Sequence, residues 1–209
     1  MTAPLPVRSR PVPTKKVCFV TVGATASFHL LLQTIFKDDF LRALRRFGFT
    51  NLLVQYGKDG QSVWDDFLRR CPPHSEGRHG VSVEGFNFNP DGLDAEMRLA
   101  RSNLSQGRDG GLVISHAGSG SILGAMRLGV PLVVVPNPTL KDNHQQELAD
   151  ELQQQGYVIA SSCQNLAAAV GQGERLRAQM LAWPPVCSVS QRQQRSLEDV
   201  MSDELGFLD

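Results

Sequence analysis

The chain has 209 residues, 41% hydrophobic and 20% charged, which suits one ordinary α/β domain with tails and excludes a disordered chain or a membrane bundle. Lys plus Arg number 21 and Asp plus Glu number 21, so no global field draws the protein to nucleic acid or to an acidic membrane surface. The four cysteines, Cys18, Cys71, Cys163 and Cys187, form no CxxC pair and have no histidine at zinc-ligand spacing; they read as reduced, intracellular thiols, and neither a metal nor a cofactor is expected.

Residues 1–16 mix Pro4, Pro6, Pro11 and Pro13 with Arg8, Arg10, Lys15 and Lys16; lacking the apolar stretch of a signal peptide, they are expected to form a flexible leader. No run approaches the roughly 18 to 20 apolar residues of a membrane helix, so any work at a membrane requires recruitment by something else. Short apolar runs predict strands at 17–22, 52–56, 81–86, 112–115, 132–135 and 157–160. Between them, helical spacing relates Leu31, Leu32, Ile35 and Phe36, then Leu41 and Leu44, then Ile122, Leu123 and Met126, then Leu148 and Leu152. Residues 71–80, with Pro72, Pro73, Gly77 and Gly80, read as an exposed loop without a motif. Residues 167–170 suggest another helix, Pro184 and Pro185 break the chain, and 189–205 read as a last, mostly polar helix whose thin apolar stripe suits docking on this chain or on a partner.

Strands that are continuous apolar runs, alternating with helices, predict an α/β, Rossmann-like fold: a parallel sheet with helices on both faces. The domain is placed at 17–180, with a tail at 181–209. Ligands of such sheets lie beyond the carboxyl ends of the strands, so the loops after strands one, four and five are where chemistry is expected.

After strand four comes His116-Ala117-Gly118-Ser119-Gly120-Ser121, a small-residue loop opening a helix. Gly118 and Gly120 let main-chain N–H groups approach an anion, and the helix start adds free donors, so a diphosphate fits; a tight turn capped by Ser119 or Ser121 is the plainer alternative. The loop after strand one, Gly23 to Phe28, is not GxGxxG, and no GxxxxGK[ST] loop occurs, which argues against a nicotinamide dinucleotide or a P-loop. Thr25 and Ser27 there either cap a helix or contact a phosphate. Strand five leads to Asp142-Asn143-His144-Gln145-Gln146-Glu147, where Asp142 and Gln145 resemble a capping box, while Asn143 and His144 either hydrogen-bond sugar hydroxyls or lie on a solvated helix face. His116 and His144 are not read as an acid–base pair, because no carboxylate can be assigned to orient either ring. No GxSxG elbow is present.

Taken together, VTVGATASF, VISHAGSGSIL, GVPLVVVPN and DNHQQELADEL closely resemble the catalytic subunits of endoplasmic-reticulum UDP-N-acetylglucosamine transferases, over about residues 17–160. The resemblance implies the donor-binding half of a GT-B glycosyltransferase split between two chains, the acceptor half being a separate membrane-anchored subunit. The implied reaction is transfer of GlcNAc from UDP-GlcNAc to GlcNAc-diphosphodolichol with inversion, at the cytosolic face of the endoplasmic reticulum, reached through the partner. It implies a donor diphosphate over Gly118, Ser119, Gly120 and Ser121 with Gly23 and Thr25 nearby, a sugar facing Asn143, His144 and Gln145, and His116 lining the same pocket. The catalytic base is expected on the partner. One departure is Gly124, where the family commonly carries a carboxylate for the ribose; Glu147 or a backbone group is expected to substitute. A non-catalytic nucleotide-sugar-binding or assembly subunit is the alternative.

Overall fold

The computed structural model describes residues 15–23, 26–140 and 144–182, so most of the leader, Thr25, Asp142, Asn143 and the helix expected at 189–205 lie outside the described residues. The elements, in chain order, are β1 (Val17–Thr21), α1 (His29–Ile35), α2 (Asp38–Arg46), β2 (Asn51–Gln55), α3 (Gln61–Arg70), β3 (Ser82–Phe86), α4 (Asp94–Arg98), β4 (Leu112–His116), α5 (Ser119–Arg127), β5 (Leu132–Val135), α6 (His144–Gln154), β6 (Ile159–Ala160) and α7 (Leu166–Leu181). The six strands form one parallel sheet in the order β3-β2-β1-β4-β5-β6.

Why the central strands β1, β4 and β5 are apolar at consecutive positions follows from what each parity meets. Cys18 and Val20 of β1, Leu112 and Ile114 of β4, and Val133 and Val135 of β5 face one core with Leu31, Phe40, Leu44, Phe67 and Val170. The intervening Phe19, Val113, Leu132 and Val134 face a second core with Met97, Ile122, Leu148 and Leu152. Helices α1, α2, α3 and α7 thus cover one face, and α4, α5 and α6 the other, the arrangement that buries a parallel sheet on both sides. In α2, Phe40, Leu41 and Leu44 are buried, while Asp38 and Asp39 in the first turn and Arg45 and Arg46 in the last complement the helix dipole.

The sheet order reverses direction between β1 and β4. Successive strands run outward from β1 to β3 and then from β4 to β6, which opens a crevice between the loops leaving β1 and β4. At the opposite end of the sheet, Lys16 is buried rather than part of a free leader: its Nζ donates to Glu174 Oε2 at 2.7 Å and to the Phe47 carbonyl at 3.0 Å, fastening β1 to α7.

Two expectations are corrected. The stretch 71–80 is not simply exposed, because Arg78 is buried, donates to the carbonyls of Cys71 (2.9 Å) and Val83 (3.3 Å), and lies over the Phe67 ring. The last strand is shorter than 157–160, because Tyr157 N–H donates to the Leu152 carbonyl to close α6 and is unavailable to the sheet. Cys18 is core, as expected, and burial pushes its thiol far up, so it stays protonated and unreactive. No helix among the described residues is long and apolar enough to cross a membrane.

Candidate functional site

The loop leaving β1 is held by a buried hydrogen-bond relay. Thr21 Oγ1 donates to Gln55 Oε1 at 2.7 Å and accepts from Gly23 N–H at 3.1 Å; Gln55 Nε2 donates to the carbonyls of Gly23 and Asn87, both at 3.1 Å. Every side-chain partner is satisfied, so the relay fixes the loop rather than offering itself to a ligand. It also joins the loops after β1, β2 and β3 at the carboxyl edge of the sheet.

His116 ends β4 and projects into the crevice. A Cβ on Gly23, whose φ is +80°, would stand 2.4 Å from His116 Cε1, and a Cβ on Gly118 would stand 2.1 Å from His116 Nε2. Since real Cβ atoms essentially never approach so closely, the ring requires glycine at both positions, and both backbones are bare against it. Burial pushes the His116 pKa below the ordinary imidazole value, and its Nδ1 is buried without a hydrogen-bond partner. The ring is therefore neutral near pH 7.

Helix α5 begins immediately after. Gly118 is its N-cap and no side chain caps it, so neither Ser119 nor Ser121 performs the capping role that would make this an ordinary turn. Ser119 and Ser121 are partly exposed, and nothing lies within 4 Å of the space above Gly120. The first amides of the helix and the positive end of its dipole thus face an open, side-chain-free surface, the arrangement that binds phosphate oxygens.

The third loop, from β5 to α6, is organised by Asn137. This buried residue donates from its backbone N–H to Gln145 Oε1 (3.0 Å) and from Nδ2 to the Ser27 carbonyl (3.1 Å), while its Oδ1 accepts from Thr139 N–H (3.1 Å) and Thr139 Oγ1 (2.9 Å). Asn137 therefore ties the loops after β1 and β5 to the start of α6. The Gln145 carboxamide reaches back to β5. His144 and Glu147 are both exposed, with His144 Nδ1 at 3.9 Å from Glu147 Oε2. Ser27 does not cap α1; its hydroxyl donates to Asp59 instead, and His29 Nε2 lies 2.8 Å from the Asp59 carbonyl.

Gly23, His116, Gly118, Ser119, Gly120 and Ser121 thus share the β1–β4 crevice, whereas His144, Gln145 and Glu147 stand at the start of α6 on the β5 side; Thr25 and Asn143 lie outside the described residues. Sequence reasoning missed Thr21, Gln55 and Asn137, whose partners are remote in the chain. It also missed Asp94: the site of a Cβ on Gly124 lies 3.7 Å from Asp94 Oδ1 and 3.4 Å from Met97 Sδ. The bare spot on α5 faces an exposed carboxylate carried by α4. Among the described residues, no group of three or more His, Cys, Asp or Glu is placed to hold a metal ion.

Comparison with known proteins agrees with this architecture. Residues 97–182 match the glycosyltransferase family 28 C-terminal domain. A protein of Saccharomyces cerevisiae named UDP-N-acetylglucosamine transferase subunit ALG13 is 33% identical over 155 residues, 69% of this chain and 76% of its own length. The protein of that name from Cryptococcus neoformans is 33% identical over 200 residues, 90% of this chain and 96% of its own. An NMR solution structure of ALG13 is similar with a TM-score of 0.55 and 29% identity, covering 77% of this chain and 84% of that one. With the fold, the glycine-lined crevice and these relatives in agreement, the chain belongs to the UDP-N-acetylglucosamine transferase subunit ALG13 family.

Proposed function

We propose that the chain binds UDP-GlcNAc across the carboxyl ends of β1, β4 and β5 and is the donor half of a two-chain GT-B transferase. The observation that carries this reading is the uncapped start of α5, open above Gly120 and backed by the neutral His116 ring between Gly23 and Gly118. The diphosphate lies over Gly118, Ser119, Gly120 and Ser121, with Gly23 and Thr25 beside it. The sugar lies toward Asn143, His144 and Gln145.

Cleavage of the anomeric C–O bond leaves negative charge on UDP. The α5 amides and dipole are already aimed at that charge and need no reorganisation as it develops, so they stabilise the transition state more than the ground state. No metal is required for this neutralisation. His116 serves as a neutral wall of the site, since its Nε2 lies against Gly118 and its Nδ1 is buried. Asp94 takes the ribose hydroxyls: it stands beside the empty position at Gly124, and a carboxylate accepts from a vicinal diol. Glu147, exposed on the first turn of α6 with its Oε2 3.9 Å from His144 Nδ1, is the second carboxylate available to the donor.

The acceptor is GlcNAc-diphosphodolichol, and attack by its 4-hydroxyl inverts the anomeric centre. The base that deprotonates this hydroxyl and the lipid-binding surface come from a membrane-anchored subunit, which holds this chain at the cytosolic face of the endoplasmic reticulum. The rival reading, a nucleotide-sugar-binding or assembly subunit without catalysis, predicts donor binding without transfer even when the partner is present. Titrating the chain with UDP-GlcNAc and UDP tests donor binding directly: both are expected to bind and Gly118→Val to abolish binding, whereas equal binding by that variant would reject the site.

A further inference from the structure

Among the described cysteines, Cys18 and Cys163 are buried and Cys71 alone is partly exposed. Cys71 closes α3 at the amino end of the sheet, opposite the glycine-lined crevice, where the chain turns through residues 72–81 into β3. The turn folds tightly: Ser75 N–H donates to the Pro72 carbonyl and Arg78 N–H to the Ser75 carbonyl, both at 3.1 Å. A Cβ on Gly77 would stand 3.1 Å from Cys71 Sγ, and apart from its chain neighbours no other atom of the described residues lies within 4 Å of that position. The sulfur therefore lies against bare backbone.

Beside Cys71 is an incomplete set of hydrogen bonds. Arg78 is only 5% exposed; its Nε donates to the Cys71 carbonyl at 2.9 Å and its Nη1 to the Val83 carbonyl at 3.3 Å, but its Nη2 is buried with no partner. The guanidinium is planar, and Nη2 shares an edge with Nε, so the free donor points along the edge that faces Cys71. Ser75, in the same turn, also has its hydroxyl buried without a partner. Burial disfavours the Arg78 charge and the ionised Cys71 sulfur favours it, which puts the two groups within electrostatic reach. Buried donors are normally paired, so this set lacks an acceptor.

We propose that Cys71 is a site of oxidation by hydrogen peroxide, and that the oxygen added to its sulfur is the acceptor Arg78 Nη2 lacks. The Cys71 thiolate attacks one peroxide oxygen: the S–O bond forms as the O–O bond breaks, and the sulfur gives up two electrons to the peroxide. The departing hydroxide takes the proton released by the thiol and leaves as water. The sulfenic oxygen then accepts from Nη2, while the bonds of Nε and Nη1 stay in place, so the modified turn keeps its fold. The same guanidinium edge meets the negative charge that the attacking sulfur carries. Cys18 and Cys163 share none of this: burial pushes both thiols up.

The test exposes the reduced full chain to hydrogen peroxide, traps sulfenic acid with dimedone and reads each cysteine peptide by mass spectrometry. Cys71 is expected to form its adduct faster in the folded chain than in the same chain unfolded in urea, with Cys18 and Cys163 unlabelled while the chain is folded. Arg78→Lys, which keeps the charge and loses the second donor of that edge, is expected to slow the folded rate about tenfold, the loss of one hydrogen bond to a charged group. Where that variant does not fold, the wild-type protein decides: on oxidation the Arg78 guanidinium ¹⁵N resonances are expected to move, those of the exposed Arg42 and Arg70 are not, and Cys71→Ser is expected to show no movement. A folded Cys71 that reacts no faster than in urea, a folded Arg78→Lys with an unchanged rate, or an oxidised Cys71 that leaves the Arg78 resonances in place overturns the proposal and makes Cys71 an ordinary surface thiol.

Discussion

The ring of His116 occupies the space where a side chain on Gly118 would begin, the Cβ position lying 2.1 Å from Nε2. Even a methyl group must displace the imidazole or the loop, and the loop carries the first amides of α5. Gly118→Ala is expected to cost about 1–3 kcal/mol of stability through overpacking and to weaken UDP-GlcNAc binding by at least about tenfold, or 1.4 kcal/mol. Adding His116→Ala vacates the space, so the double variant should recover much of the stability. Denaturant unfolding of the four proteins in this cycle measures the coupling; strict additivity would show that ring and glycine do not compete for the space.

His116 also predicts a pH dependence. Its folded pKa lies below the ordinary imidazole value because burial disfavours the charged ring. Below that ordinary value, about 6.5, the unfolded chain takes up a proton that the folded chain refuses. Stability is therefore full above this pH and declines as pH falls toward the folded pKa. His116→Gln should flatten this part of the urea-midpoint profile, leaving the decline at lower pH to the carboxylates, among them Asp38, whose pKa is held down first by its hydrogen bond to His79. An unchanged slope in the variant would contradict a buried neutral His116.

Asp94 and Gly124 are expected to act as one ribose-binding position shared by two helices. Asp94→Asn should weaken UDP binding about 10- to 100-fold, the range of a hydrogen bond to a charged group, while leaving pyrophosphate binding unchanged. Adding Gly124→Glu to this variant restores a carboxylate from α5 and should recover part of the affinity, since the Cβ fits at ordinary contact distance from Met97. Equal losses for UDP and pyrophosphate would place Asp94 outside the ribose contact.

Asn137 holds three segments together, and its removal tests positioning. Asn137→Ala leaves Thr139 and the Ser27 carbonyl without their partners and should cost about 1–3 kcal/mol. Gln145→Ala removes only one of these links and should cost less. Isothermal titration of both variants should show weaker UDP-GlcNAc binding with UDP binding less affected, because the link lies on the sugar side of the site.

Much of this architecture is legible along the chain, for physical reasons. Strands buried on both faces must be continuously apolar, so β1, β4 and β5 stand out. The loop at 116–121 is legible because a bare backbone requires small residues in succession. Helix α7 reads only as a fragment at 167–170, because Gly171 and Gly173 look like breakers; both are sites of close packing, against Phe47 and Leu112. Helix α4 is too short to show a period and buries only Met97. The roles of Gln55, Asn137 and Asp94 depend on residues about 30 to 110 positions away, so no local pattern records them.

The central claim is that this chain supplies the donor half of a two-chain transferase. The most direct measurement is GlcNAc transfer from labelled UDP-GlcNAc to a GlcNAc-diphospholipid, by this chain alone and then with the membrane-anchored acceptor subunit. Transfer only in the mixture, lost with Gly118→Val, is the predicted result. No transfer in either case, with UDP-GlcNAc binding intact and the complex formed, would contradict it and establish a subunit that binds the nucleotide sugar without catalysing its transfer.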